Sequence, residues 1–377
     1  MKKILLCGVL LSVFCACKSL VNTNLTKSGL NAENFQMVVG GKYIDLYTLS
    51  NKNGMEVCIT NFGGRIVSVM VPDKHGVLQD VVLGFDSIQD YINYPTDFGA
   101  SIGRYANRIR EGRITLGGED IQLPRNNYGH CLHGGPMGWQ YKIYDVLQVD
   151  SSFVMMSLNS PDGDENFPGN VTAVVTFCLK DDNSIHISYE AETDKTTIIN
   201  MTNHSYFNLS GDASCDILDN TLYLNADAFT PVDSTFMTTG EIRPVSGTPM
   251  DFTTPKTIAT SMNLSDDQVR NGNGYDHNWV LNTDGDLNEL AAKLISPISG
   301  IALEVYTDEP GIQVYSGNFL DGSLRGKKGI IYNQRAAICL ETQHYPDSPN
   351  KPNWPSVLLL PGQKYDSHCI YKFSVVQ

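Results

Sequence analysis

The sequence predicts an all-β protein built as one large antiparallel β-sandwich with a few short helices, and three observations predict it. First, short segments rich in Val, Ile, Thr, Tyr and Phe recur at 38–48, 55–60, 66–71, 171–179, 185–190, 198–202, 301–306 and 370–375, in places with a period near two. Second, turn-forming clusters separate them, such as Asn61-Phe62-Gly63-Gly64 and Asp181-Asp182-Asn183. Third, few windows sustain a helical apolar stripe, the best being 87–94 and 264–270. Many strands without βαβ spacing pack most economically as two sheets, each burying one face against the other.

Taken from the N-terminus, residues 1–16 read as a targeting segment. Lys2 and Lys3 precede an apolar run, 4–16, that is too short to span a bilayer as a helix. The run ends in Phe14-Cys15-Ala16-Cys17, which resembles a bacterial lipoprotein signal, with Phe14 where Leu is commoner. That resemblance implies export to the periplasm or outer membrane and a lipid anchor on Cys17. Ordinary secretory cleavage nearby is the alternative. Residues 17–34 are rich in Asn, Thr, Ser and Lys and are expected to form a flexible tether. Residues 35–377 show no internal repeat or low-complexity break and are read as one domain. Beyond Cys17 lie Cys58, Cys131, Cys178, Cys215, Cys339 and Cys369, with no close C-x-x-C pair to suggest a zinc knuckle. Cys58, Cys178 and Cys339 fall within apolar runs and read as small buried hydrophobes.

With 377 residues, 41% of them apolar and 18% charged, the chain can bury a large core as an ordinary globular protein does. Its net charge of −14 argues against a nucleic-acid partner, because phosphate-tracking surfaces need clustered Lys and Arg. Charge says nothing by itself about a reaction.

Candidate chemistry lies in polar clusters at loops and strand ends, where a rigid β scaffold can aim side chains inward. In order these are GRYANRI (103–109) and LHGG (132–135), TNHSYFNL (202–209), YDHNW (275–279), PGIQVYSGNFL (310–320) and LETQHYPDSPN (340–350). Each has a plain structural explanation. A lone His at a strand end is more often structural than catalytic, Gly134-Gly135 can simply turn the chain, and Trp279 can be a core aromatic.

Their ordered combination, with Asn61-Phe62-Gly63-Gly64-Arg65 ahead of it, resembles the aldose 1-epimerase (galactose mutarotase) family over about residues 35–377. The resemblance implies a galactose mutarotase-like supersandwich with a sugar cleft on one sheet, a free aldose as partner, no cofactor or metal, and anomerisation of hexoses such as galactose or glucose. It places the general base on Glu341 and the general acid on His204. It places sugar binding on Asn107, Arg108, His133, Asp276 and Gln313, with no departure at these positions. Arg104, His277 and Trp279 lie beside matched positions and are further candidates for the cleft wall.

Opening a pyranose requires removing the O1 proton and protonating the ring oxygen, so a carboxylate and an imidazolium suffice. On that reading Asp276 would favour the imidazolium and Arg108 the ionised Glu341. Asp276 and Asn107 suit sugar hydroxyls, Arg108 can donate as a fork, and His133 can steady charge near the ring oxygen. A retaining glycoside hydrolase would instead use two carboxylates, which Asp276 and Glu341 could supply, but it gives His204 no evident task. A phosphosugar epimerase would want more basic residues around its cleft, and a non-catalytic sugar-binding lipoprotein would not need both His204 and Glu341.

Overall fold

The computed structural model describes residues 25–376. Residues 1–24, including Cys17 and the predicted targeting segment, lie outside the described residues. The described residues are mostly β, and among them α-helix occurs only at Ile88–Asn93, Ile258–Ser261 and Asp267–Asn271. Two of these fall where the sequence predicts them, because each has a cap. Ser87 accepts the Asp90 N–H, and Asp266 accepts from Gln268 and Val269.

A nine-stranded antiparallel sheet forms one wall. Its strands run in the order Asp145–Val149, Phe153–Ser160, Val171–Leu179, Ser184–Thr193, Tyr365–Val375, Ile301–Thr307, Ala292–Ile295, Thr221–Leu224 and Lys256–Thr257. Along Val171–Leu179 every second residue (Val171, Ala173, Val175, Phe177, Leu179) is buried while Thr172 faces solvent. Such a strand covers a core with one face only. Cys178, predicted buried, takes the outward phase and is half-exposed. All six described cysteines are free thiols.

Facing it is a six-stranded sheet ordered Tyr206–Phe207, Ile338–Gln343, Gly311–Tyr315, Asp276–Val280, Ala228–Thr230 and Arg243–Pro244. A four-stranded sheet, Leu46–Ser50 to Leu78–Asp80, continues the packing. One hydrophobic cluster joins the three sheets, with Phe177, Ile187 and Tyr371 from the large sheet, Ile312, Val314 and Leu340 from the six-stranded one, and Val57 and Val69 from the third. Interdigitation of apolar faces from facing sheets is what the sandwich prediction requires.

The tether expectation is corrected for residues 25–34. Leu30 is buried, Ser28 Oγ donates to Ser68 Oγ at 3.1 Å, and the Lys27 N–H donates to the Glu56 carboxylate at 2.6 Å. Polar composition misleads here because the polar groups bond to the sandwich while Leu30 supplies an apolar anchor.

Candidate active site

Strand alternation builds the floor of the site. Across the six-stranded sheet Glu341 stands opposite Gln313, Gln313 opposite Asn278, and Asp276 opposite Tyr315. Directly opposed residues share a face, and their chain neighbours point to the other. The polar set Glu341, Gln313, Asn278 and Asp276 therefore occupies one face, while Leu340, Ile312, His277 and Trp279 occupy the face turned to the core. This phase decides two of the further candidates: His277 and Trp279 are fully buried away from the cleft, the Trp279 indole donating to the Met250 carbonyl at 2.9 Å. Arg104 is also absent from the cleft. Its guanidinium donates to Ser160 Oγ and the Pro168 carbonyl, pinning another loop.

Loops supply the rest. The Asn107 N–H donates to His133 Nδ1 at 3.1 Å, and the His133 N–H donates back to the Asn107 carbonyl at 3.1 Å. Both residues have left-handed backbones, φ 62° and 51°, a conformation that costs a non-glycine residue about 1 kcal/mol and recurs at functional sites. Gly134 follows because a Cβ there would stand 2.2 Å from the Gly103 carbonyl oxygen. Arg108 Nε donates to Asn127 Oδ1 at 3.0 Å, its Nη1 lies 4.0 Å from Asp276 Oδ2, and its guanidinium lies 5.1 Å from the Phe236 ring centroid.

His204 ends the strand Thr202–His204, which pairs with Ala100–Ile102. Its ring stacks on Tyr206 at 5.1 Å and meets His133 edge-on at 5.1 Å. His204 Nε2 lies 3.5 Å from Glu341 Oε2. A cleft of about 280 Å³ opens over this pair and is lined also by Asn107, Arg108, His133 and Asp276. Gln313 is the one predicted site residue that does not line it. It lies just behind, donating from Nε2 to Asp276 Oδ1 at 2.7 Å.

Burial dominates the electrostatics. It pushes Glu341 well above the usual carboxylate range, with Asp276 and Asp97 adding to the rise and Arg108 opposing it. It pushes His204 down, against the pull of Asp97 and Asp276. The expected influences of Arg108 and Asp276 have the predicted signs but are outweighed, so the unliganded pair favours a protonated Glu341 beside a neutral His204. His133 is pushed far down by burial and then by His204 and Arg108, so it is neutral. Because its Nδ1 accepts the Asn107 N–H, its proton sits on Nε2 and faces outward as a donor. Asp97, His133 and His204 present atoms within 4.8 Å of one another, as metal ligands do, yet His133 then offers no free lone pair to a cation.

Sequence reasoning did not single out Asp97, Asn127, Tyr128, Tyr206, Tyr315 or Phe319, all of which line the cleft. Period two could have found Tyr315 from Gln313 and Tyr206 from His204, since each is two residues on. Nothing in the sequence marks Asp97.

A family profile described as aldose 1-epimerase matches residues 45–372. Mouse galactose mutarotase is 41% identical over 336 residues, spanning 89% of this chain and 96% of the mouse protein. The aldose 1-epimerase of Escherichia coli K12 is 40% identical over 336 residues, spanning 88% of this chain and 96% of its own. Among solved structures, an aldose epimerase homologue from Caenorhabditis elegans superposes with a TM-score of 0.82 at 32% identity, covering 88% of this chain and 99% of its own. Galactose 1-epimerase from Lactobacillus acidophilus gives 0.79 at 31%, covering 90% and 97%. With the fold, the matched length and the identity all in agreement, the chain belongs to the aldose 1-epimerase family, isomerases of free sugars.

Proposed function

We propose that the protein interconverts the α and β anomers of free hexoses such as galactose and glucose, with Glu341 as general base and His204 as general acid. The observation that carries this assignment is the buried Glu341–His204 pair at 3.5 Å beneath a cleft walled by hydrogen-bonding groups. Glu341 takes the O1 proton while His204 protonates the ring oxygen, and the ring opens to an aldehyde. Rotation about C1–C2 followed by the reverse transfers gives either anomer, so both groups return to their starting states each turnover.

The reactive charge state contains the same number of protons as the resting one. Passing one proton from Glu341 to His204 converts the neutral pair to carboxylate and imidazolium; Arg108 favours the carboxylate and Asp276 the imidazolium, while Asp276 also opposes ionisation of Glu341. Asn107, Arg108, Asp276 and the outward Nε2–H of His133 bind the sugar hydroxyls and ring oxygen, while Gln313 holds Asp276 in place. Glu341 Oε2 and His204 Nδ1 are buried without a hydrogen-bond partner, and a polyhydroxylated ligand would satisfy such groups.

Polarimetry of freshly dissolved α-galactose and α-glucose with the wild-type protein, Glu341→Gln and His204→Asn tests the assignment. Both variants are expected to lose nearly all of the enzymatic rate, and equal rates in the three proteins would overturn it. The N-terminal reading completes the proposal: export to the periplasm or outer membrane with lipid on Cys17, supported by the apolar run and the Cys15-Ala16-Cys17 ending. Mass analysis of membrane-extracted protein should find that lipid, and an unmodified soluble form would remove the anchor.

A further inference from the structure

Asp97 has no part in the mechanism above, yet it lines the same cleft. Its segment is tightly held. The fully buried Arg65 guanidinium donates to the carbonyls of Thr96 at 2.7 Å and Phe98 at 3.1 Å, one on each side of Asp97. The Ala100 N–H donates to the Asp97 carbonyl at 3.0 Å, and the Gly99 N–H to the carbonyl of His204 itself at 3.0 Å. Gly99 is required there, with φ +69° and an added Cβ only 1.9 Å from the Ile66 carbonyl oxygen. Asn203 Nδ2 closes the arrangement by donating to the Gly99 carbonyl at 2.9 Å. The segment that carries Asp97 is thus bonded, backbone to backbone, to the residue proposed as the acid.

The side chains are near neighbours as well. An Asp97 carboxylate oxygen lies within 4.8 Å of ring nitrogens of His133 and His204. Asp97 Oδ1 and His204 Nδ1 are both buried with no hydrogen-bond partner. Around the His204 ring stand the neutral rings of Tyr206, Tyr315 and His133. Glu341 and Cys339 face it from Ile338–Gln343, while Asp276 and Arg65 act on it electrostatically. Of the carboxylates, Glu341 is reserved for the sugar O1 proton, and Asp276 is bonded to Gln313 and faces Arg108. Asp97 is left with an unused oxygen, and among the charges acting on His204 it most favours the protonated ring.

We propose that Asp97 is a positioning residue for the anomerisation, its carboxylate fixing the His204 ring and balancing the imidazolium that protonates the ring oxygen. The inference rests on His204 being the acid, and the test separates the two. In Asp97→Asn, the histidine Cε1–H resonance of His204, assigned by its loss in His204→Asn, should titrate at lower pH than in the wild type. An acid works below its own pKa, so the high-pH limb of kcat should move down in step. At neutral pH kcat should fall about tenfold for each unit of that movement, with KM little changed. Asp97→Glu, which keeps the charge, should restore part of the rate, and thermal melting of each variant reports folding. An unmoved His204 resonance overturns the proposal. So does a raised KM with kcat and pH profile intact, which would make Asp97 a sugar-binding residue. If His204→Asn kept full activity, the acid assignment would fail, and the His204 resonance would still report whether Asp97 charges the ring.

Discussion

The two principal sheets use the same alternation for opposite ends. In the nine-stranded sheet one face is apolar and the other meets solvent, as Phe177 and Thr176 illustrate within Val171–Leu179. In two strands of the six-stranded sheet both faces are buried: Ile338–Gln343 and Gly311–Tyr315 are buried at every residue. There the face that would ordinarily be wet carries Glu341, Gln313 and Asp276 beneath a cleft instead. A β scaffold thus holds charged groups in a dry setting by turning the polar phase of a strand toward an enclosed hollow. That enclosure is what drives Glu341 up and His204 down.

The contrast can be broken most forcefully at its polar face. Glu341→Gln should lower kcat by about 10²- to 10⁴-fold, the usual worth of a positioned acid or base, while leaving the melting temperature no lower than wild type. A concurrent loss of rate and stability would mean that the residue is structural. On the apolar face the pattern should invert. Phe177→Ala removes a fully buried ring from the shared core and should cost about 3–5 kcal/mol in urea unfolding, with kcat of the folded fraction unchanged.

His277 gives a subtler handle, because it occupies the core side of a strand whose other side is catalytic. Burial pushes it down to about 3, and its Nδ1 accepts the Asp276 N–H at 3.2 Å, so it is neutral when folded. The unfolded chain binds the extra proton first, so stability attributable to this residue is full above pH 6.5 and lost as pH falls toward 3. Glu341 has the opposite sign, since a raised carboxyl loses its stabilising proton as pH rises. His277→Gln should therefore flatten the acid side of the stability profile, and an unchanged slope would place the acid sensitivity elsewhere. The smallest effect belongs to the solvent face: Thr176→Val should change stability by no more than about 0.5 kcal/mol and leave the rate intact.

Much of this contrast is legible in the sequence. The strand 171–179 is predicted with its observed ends because β-branched residues and flanking turns coincide there. By contrast, 38–48 breaks into Met37–Val39, Lys42–Ile44 and Leu46–Ser50, since Gly40 and Gly41 turn the chain within the predicted run. The seven predicted site residues gather in one place, six on the cleft wall and Gln313 behind Asp276. Composition could not reveal that residues 25–34 pack, because the partners of Ser28 and Lys27, Ser68 and Glu56, are distant in sequence. Nor could it reveal Asp97, a loop residue whose place is set by Arg65 from the strand Arg65–Pro72. Which charge wins at a buried pair is likewise a property of the enclosure and not of the residue types.

Alternation also limits how the strand Asp276–Val280 can change. Inserting or deleting a single residue inside it would carry the Trp279 indole into the hollow and the Asn278 amide into the core, damaging both faces at once. Substitutions can tune the strand, but changes of length are confined to the connections on either side, such as the turn-rich stretch 281–291. Lineages of this protein should therefore diverge in loop length while the residue count of this strand stays fixed.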